Sequence, residues 1–393
     1  MSENEPDAIS FRQDFPALDI PSEELIGYKR TMSEFNKTAK TEAKPDSCYI
    51  CGKPMTSFCN SHTIPQYCLK EIDVDGKLLT TAALIGGNLI DSEVGIAGAA
   101  TFKRVCRQCD SEYFKLYETP ETLLSEPTSQ VLGQIAAKNL LREISKGRLE
   151  LGLHTALGER SNPEFDTMMA VRAVDMKEDE KAFKTAVRVG GSEKPSKAYH
   201  LVYYKLLPYV VPFAFQQMIS PMADFNGGLI NNSYNPSTNY RMEPIHICIL
   251  PSKGATAVLM FRSENANRYR KFEQQFRSLS EQAKLLSIVK LVLAYSEDVL
   301  LSKKLLKRVS AVRIGPGAPE RTAGQRLWAS DLFFVATTKV FTVCLVCVSR
   351  CALLVSKVAK SAFSDPPCFR LRSGFPDWLA LCSYRVRREE RRE

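Results

Sequence analysis

Cys48 and Cys51, and again Cys106 and Cys109, are thiol pairs separated by two residues in a chain of 393. Each pair puts two soft sulfur ligands within reach of one ion. Four thiolates close the tetrahedral shell that a structural zinc ion prefers. Gly52 follows the first pair and Asp110 the second. The distance between the pairs requires a folded insertion between the two halves of the site, and that insertion carries Ser61-His62-Thr63-Ile64-Pro65. Tetrahedral Zn–S bonds of about 2.3 Å predict sulfurs within about 4 Å of one another. Cys59, Cys68 and Cys248 fall outside the pairs and read as small buried hydrophobes. Two other chemistries are excluded by pattern. No G-x-S-x-G nucleophile turn is present, and the small-residue stretch 86–100 lacks the glycine-lysine arrangement of a phosphate cradle.

The elements that would position these residues predict an α+β protein: a zinc-knuckle ββα-like module followed by helices and an antiparallel sheet. Residues 1–45 read as a partly disordered leader, broken by Asp14-Phe15-Pro16 and Asp19-Ile20-Pro21, able to dock through Phe11, Phe15 and Leu18. Residues 46–120 form the metal module: a knuckle at 48–52, a short helical turn over 66–72 and a hairpin turn at Asp73-Val74-Asp75-Gly76. The spacing of Phe114 and Tyr117 predicts a helix that starts at the second knuckle. Residues 121–308 form an α+β domain with helices at both ends of the sheet. Leu132, Ile135, Ala136, Leu140 and Ile144 predict a helix over 128–152. A second runs over 163–174, capped by Asn162, and the charged run 177–181 reads as a solvated face or turn. Stretches 199–204, 209–215, 245–250 and 255–261 are rich in β-branched and aromatic residues and predict strands, with a long loop at 224–240. His246 alternates within such a strand and reads as a core or sheet-face residue. Tyr269, Phe272, Phe276 and Leu279 mark one further helix; 285–292 and then 299–306 mark another.

Charge is unevenly spread. The formal net charge is +9, and residues 311–393, with 14 Lys+Arg against 7 Asp+Glu, supply +7 of it. A surface that attracts nucleic acid must therefore be a local patch on a near-neutral body. Residues 309–393 form a basic tail with both tryptophans and five of the twelve cysteines. This composition reads as a segment not native to the family, such as a frameshifted or read-through end, and Cys344 and Cys347 then match C-x2-C by accident. The alternative, a tail anchor over 332–349, is opposed by Lys339, since a central lysine costs about 2.5–3.5 kcal/mol on insertion scales. No membrane partner is expected. Residues 1–21 lack the apolar core of a secretory signal, and thiol pairs without one favour metal over disulfides and a reducing, cytoplasmic compartment.

Taken together, Cys48-x2-Cys51, Ser61-His62-x-Ile64-Pro65, Cys106-x2-Cys109-Asp110 and Phe114-x2-Tyr117-Glu118 resemble the HNH or His-Me-finger group. The nearest likeness is to a bacterial branch carrying S-H-x-I-P and C-x2-C-[DE] followed by F-x2-Y-E. The resemblance covers residues 46–120, with vaguer similarity to about 152. It implies a ββα unit pinned by zinc on the four cysteines, cutting phosphodiester bonds, with phage defence as an expected role. His62 then matches the general base, a role suited to a group that titrates near neutrality. Asp110 and Glu118 would supply oxygen ligands to Mg2+ or Mn2+. Two positions depart from the pattern. Ser61 stands where a carboxylate or histidine ligand is usual, and Asp110 where asparagine is usual.

Three functions follow as alternatives. The first is a metal-dependent endonuclease using His62, acting on DNA ahead of RNA. The second is a non-catalytic zinc module that binds nucleic acid through Lys53, Lys70, Lys103, Arg104 and Arg107. The third is a zinc-stabilised scaffold whose α+β region binds protein or a small ligand. On a purely structural reading of the site, His62 caps the helix at Pro65 or hydrogen-bonds within the knuckle, Asp110 is an N-cap and Glu118 a solvated helix residue.

Overall fold

The computed structural model describes residues 22–80, 92–158, 161, 163–232, 235, 237, 239–296 and 298–305. The basic tail, its C-x2-C, the docking residues Phe11, Phe15 and Leu18, and Asn162 lie outside the described residues. Helix α1 (Ser22–Glu42) precedes the first thiol pair. Then come β1 (Ser61–His62), α2 (Gln66–Ile72), β2 (Lys77–Thr80), β3 (Ser92–Gly95), β4 (Thr101–Phe102) and α3 (Arg107–Tyr113). Two long helices follow, α4 (Ser129–Leu157) and α5 (Pro163–Gly190), and then strands β5 (Tyr199–Leu207), β6 (Phe213–Ile219), β7 (Ile245–Ser252) and β8 (Ala255–Ser263). Helices α6 (Arg270–Ser278) and α7 (Glu281–Tyr295) and the short strand β9 (Leu300–Leu301) complete the order. The architecture is mixed helix and antiparallel sheet.

Among the described residues, the main sheet has seven strands in the order β3-β2-β9-β6-β7-β8-β5, every pair antiparallel. Its interior follows from the run Ile245-His246-Ile247-Cys248-Ile249-Leu250, apolar but for His246. A strand of that kind is stable when both faces are covered, and every residue of β7 is buried. Lys253 and Gly254 both take positive φ, which closes the two-residue turn that pairs Ser252 with Ala255. Alternate side chains then enter two cores. Cys248, Leu250, Leu259 and Phe261 face α4 and the thiol-bearing module. Ile245, Ile247, Ile249, Val258 and Met260 face Phe272 and Phe276 of α6 and Ile288 and Val292 of α7. Each such side chain contributes about 1.5–3 kcal/mol when fully buried.

Helix α4 is the spine between the sheet and the module. Thr128 caps it by accepting from Val131 N, and each residue from Val131 to Leu141 is buried. Of its polar residues there, Gln134 and Lys138 are bonded, while Asn139 leaves its Oδ1 without a partner. The side chain of Gln134 accepts from Tyr117 N at 2.9 Å and donates to the Gly190 carbonyl at 3.1 Å. Where α4 crosses the end of α5, Gly133 meets Gly190 so closely that a Cβ on Gly133 would stand 2.4 Å from Gly190 N. Arg142, Lys146 and Asp298 form a second polar node. Asp298 lies 2.6 Å from Lys146 and 3.3 Å from Arg142. Burial pushes its carboxyl up, but the two cations outweigh burial and hold it down at about 2.

Several sequence expectations need correction. The helix at the second knuckle ends at Tyr113, so Phe114, Tyr117 and Glu118 lie in the turns beyond it. The charged run 177–181 is no turn: α5 continues through it to Gly190. The stretch from Val299 does not open as helix, because Leu300 and Leu301 pair with both β2 and β6; only Lys304 and Leu305 turn helical, and Leu306 lies outside the described residues. Part of the stretch read as leader forms α1, which lies against α4, with Ala39 beside Gly152. Among the described residues, no helix is long and apolar enough to cross a membrane.

Candidate metal centre and the adjoining charged site

The first thiol pair sits on a knuckle that its own backbone closes. Cys48 N donates to the Lys53 carbonyl at 3.0 Å and Gly52 N to the Cys48 carbonyl at 2.8 Å. Gly52 has φ +69°, a conformation that glycine takes without the cost of a Cβ. The second pair opens α3. Cys106 is its N-cap and accepts from Cys109 N, while Cys106 N donates to Cys48 Sγ at 3.3 Å, linking the two pairs directly. The four sulfurs lie within 4.8 Å of one another. That is slightly wider than the expected 4 Å and close enough to hold one metal ion. Burial pushes the Cys48 thiol up, but the N–H groups of Cys51, Cys106 and Ile50 outweigh it and bring it down to about 7. Burial and the neighbouring Cys106 and Cys51 push Cys109 up. Backbone donors aimed at sulfur suit a thiolate cluster.

Between the two pairs the chain runs through β1 and returns through β4. Ser61 pairs with Phe102 and His62 with Thr101, antiparallel, and α3 follows. Helix α2 and the β2–β3 hairpin are inserted between these two strands. His62 retains only 9 % of its surface. Its Nε2 lies 3.0 Å from the Ile96 carbonyl. A carbonyl only accepts, so Nε2 carries the proton and the neutral ring keeps its lone pair on Nδ1. The Gln66 amide is near both ring nitrogens, at 3.3 and 3.5 Å. Burial lowers the pKa of the ring; the Ile96 carbonyl opposes this and Lys138 adds to it.

His62, Asp110 and Glu118 are brought to one place, around a residue that the sequence reading did not single out. Lys138 of α4 is wholly buried, and its Nζ lies 2.8 Å from Glu118 Oε1, 3.1 Å from Asp110 Oδ1 and 2.9 Å from Ser61 Oγ. Ser61 also donates to Asp110 Oδ1, and Cys59 Sγ donates to Asp110 Oδ2 at 3.3 Å. The ammonium stands 4.2 Å from the Phe114 ring centroid and 5.9 Å from that of Phe102. Burial pushes the Asp110 carboxyl up, yet Lys138 together with the Ser61 and Cys59 donors holds it below the usual range. A signal for Lys138 was available: Val131, Ile135 and Lys138 are spaced to share one helical face, which turns the lysine inward with the apolar residues.

The two sets of ligands therefore differ in fit. The four cysteines offer a closed soft shell. One oxygen each of Asp110, Glu118 and Ser61 is already gathered on one ammonium, which takes from a hydrated Mg2+ or Mn2+ much of the donor set its near-octahedral shell would need. Of the basic residues expected around the knuckles, Lys53, Lys70, Lys103 and Arg107 are exposed. Arg104 is buried and donates to the Ala43 carbonyl, so it is removed from that surface. His246 is a core residue. It accepts from Asn139 Nδ2 at 3.0 Å, stacks on Phe261, and burial lowers its pKa to about 3. A scan against protein-family models, a search of curated proteins and a search of solved structures found no match to the chain.

Proposed function

We propose that residues 46–120 form a zinc-stabilised module of HNH-like, ββα plan that binds nucleic acid without cutting it. Cys48, Cys51, Cys106 and Cys109 would hold the zinc, which contributes folding free energy to a module with only two short strand residues per hairpin arm. Lys53, Lys103 and Arg107, exposed near the two knuckles, would meet phosphates, and contacts of that kind need only placed cations. The observation that carries the non-catalytic reading is the Lys138 ammonium. It engages Ser61, Asp110 and Glu118 at once, so the carboxylates expected to bind Mg2+ or Mn2+ are occupied by the chain itself. The test is a gel shift of zinc-loaded protein on DNA and RNA over a salt series, with cleavage scored in parallel. Binding that weakens steeply with salt, as counterion release requires, supports the proposal; salt-insensitive or absent binding removes it in favour of a scaffold.

One observation favours the endonuclease reading as a second. His62 stands on the first strand of the ββα order with Nε2 held by Ile96 O, so the lone pair that could act as a base is on Nδ1, where the Gln66 amide stands 3.5 Å away. Cleavage of plasmid, single-stranded DNA or RNA that disappears in His62→Ala would establish it.

A further inference from the structure

We infer that Lys138 is the built-in replacement for a divalent cation: its ammonium holds Asp110, Glu118 and Ser61 as an ion would, and it keeps Mg2+ and Mn2+ out. The inference rests on the non-catalytic reading of the charged site and deepens it. A lysine has three N–H donors and no acceptor. Here three oxygens, Asp110 Oδ1, Glu118 Oε1 and Ser61 Oγ, lie at 3.1, 2.8 and 2.9 Å from one nitrogen. All three donors are spent, so none remains for a substrate phosphate, and Lys138 is a positioning residue. The Phe114 ring, 4.2 Å away, covers another side of the ammonium. An aromatic face suits a desolvated monovalent cation, whereas a divalent ion of this size keeps several waters.

The charge arithmetic points the same way. Two carboxylates bring two negative charges to a place where the lysine is 0 % exposed and Asp110 is 18 % exposed. Left unpaired, such charges are costly. The lysine supplies one positive charge on a tether anchored in the fully buried half of α4. An incoming ion would have to expel that side chain into a helix face that offers no water. Removing the tether should therefore uncover a latent divalent site in the same carboxylates.

The experiment compares zinc-loaded full-length parent, Lys138→Ala and Lys138→Ala/Asp110→Asn by Mn2+ titration, followed by electron paramagnetic resonance and by melting temperature, with zinc content checked throughout. The parent is expected to show no Mn2+ binding that depends on Asp110. Lys138→Ala should bind Mn2+ at least about tenfold tighter, a factor of the size set by removing a unit charge within about 4 Å even at water-like dielectric. Its melting temperature should rise with Mn2+ while that of the parent does not, and the double variant should lose both responses. Saturable Mn2+ binding by the parent that Asp110→Asn abolishes would overturn the inference. A folded Lys138→Ala that gains no Mn2+ affinity would also overturn it, leaving the lysine a plain structural tether. If Lys138→Ala does not fold even with Mn2+ present, the parent against Asp110→Asn decides alone. None of these readouts depends on nucleic-acid binding, so failure of the proposed function would show separately, in the salt-series gel shift.

Discussion

Nζ of Lys138, wholly shielded from solvent, lies 2.8 Å from Oε1 of Glu118, which keeps about a third of its side-chain surface. The pair joins the middle of α4 to the turns after the second knuckle. Breaking a buried pair from one side leaves an uncompensated charge, which costs about 3–5 kcal/mol. Lys138→Met should therefore lower unfolding free energy by that order in denaturant titrations. Adding Asp110→Asn and Glu118→Gln should recover part of the loss; equal instability in the triple variant would show that packing, not charge, is at stake.

Zinc should be found at one ion per chain by elemental analysis. Cys51→Ser or Cys106→Ser should abolish stoichiometric metal and sharply lower the melting temperature, since structural zinc contributes directly to folding. A metal-free protein that melts as the parent does would contradict the assignment of the cysteine site.

His62→Ala bears on catalysis. With Mg2+ or Mn2+ present, the parent is expected to leave plasmid, single-stranded DNA and RNA intact, and the variant to bind nucleic acid as the parent does with unchanged zinc. If the parent does cut, and His62→Ala cuts slower by about 10²–10⁴-fold, the loss expected for a general base, the endonuclease reading replaces the binding one.

His246 predicts an acid limb. Burial lowers its folded pKa to about 3, below the unfolded value of about 6.5. The unfolded chain therefore takes up the proton first as pH falls. Stability from this group is complete above about pH 6.5 and drains as pH drops toward 3, on the order of 5 kcal/mol in all. In His246→Leu the slope of unfolding free energy against pH over that window should be shallower by close to one proton. Parallel curves for the two proteins would show that the histidine is not the source.

Gly133→Ala tests the α4–α5 crossing. A Cβ there would meet Gly190 N and Cα at 2.4 and 2.8 Å, both backbone atoms that cannot swing away. Overpacking of this sort costs about 1–3 kcal/mol or more, although alanine favours helix over glycine by about 1 kcal/mol. A variant as stable as the parent would mean that the two helices separate easily.

The parts legible in the sequence are those that local pattern determines. C-x2-C spacing placed four sulfurs together, Asp75 and Gly76 marked a turn that both residues make with positive φ, and the β-branched runs marked β5, β7 and β8, while β6 starts at Phe213, four residues beyond the start of the run at 209–215. What was not legible depended on distant partners. Lys138 reads as one charge among the lysines and arginines of a helix until Asp110 and Glu118 are known to lie opposite it. Leu300 and Leu301 are too short a segment to declare a strand, and become one only because β2 and β6 both present open edges there. Helix α5 runs past its charged stretch because Arg148 of α4 bonds Glu180 within it, and Met176, Phe183 and Ala186 on either side of it are buried.

The two residues of β9 set an order on the making of the protein. Among the described residues, the β2–β3 hairpin reaches the main sheet only through Leu300 and Leu301, over two hundred positions later in the chain. As a ribosome emits the polypeptide from its amino end, the cysteine module and α4 can assemble early, yet the inner edges of β2 and β6 stay bare until the last clasp arrives. During that interval both edges can recruit a stray strand, so a holding chaperone would do most for this protein between the emergence of β8 and that of β9.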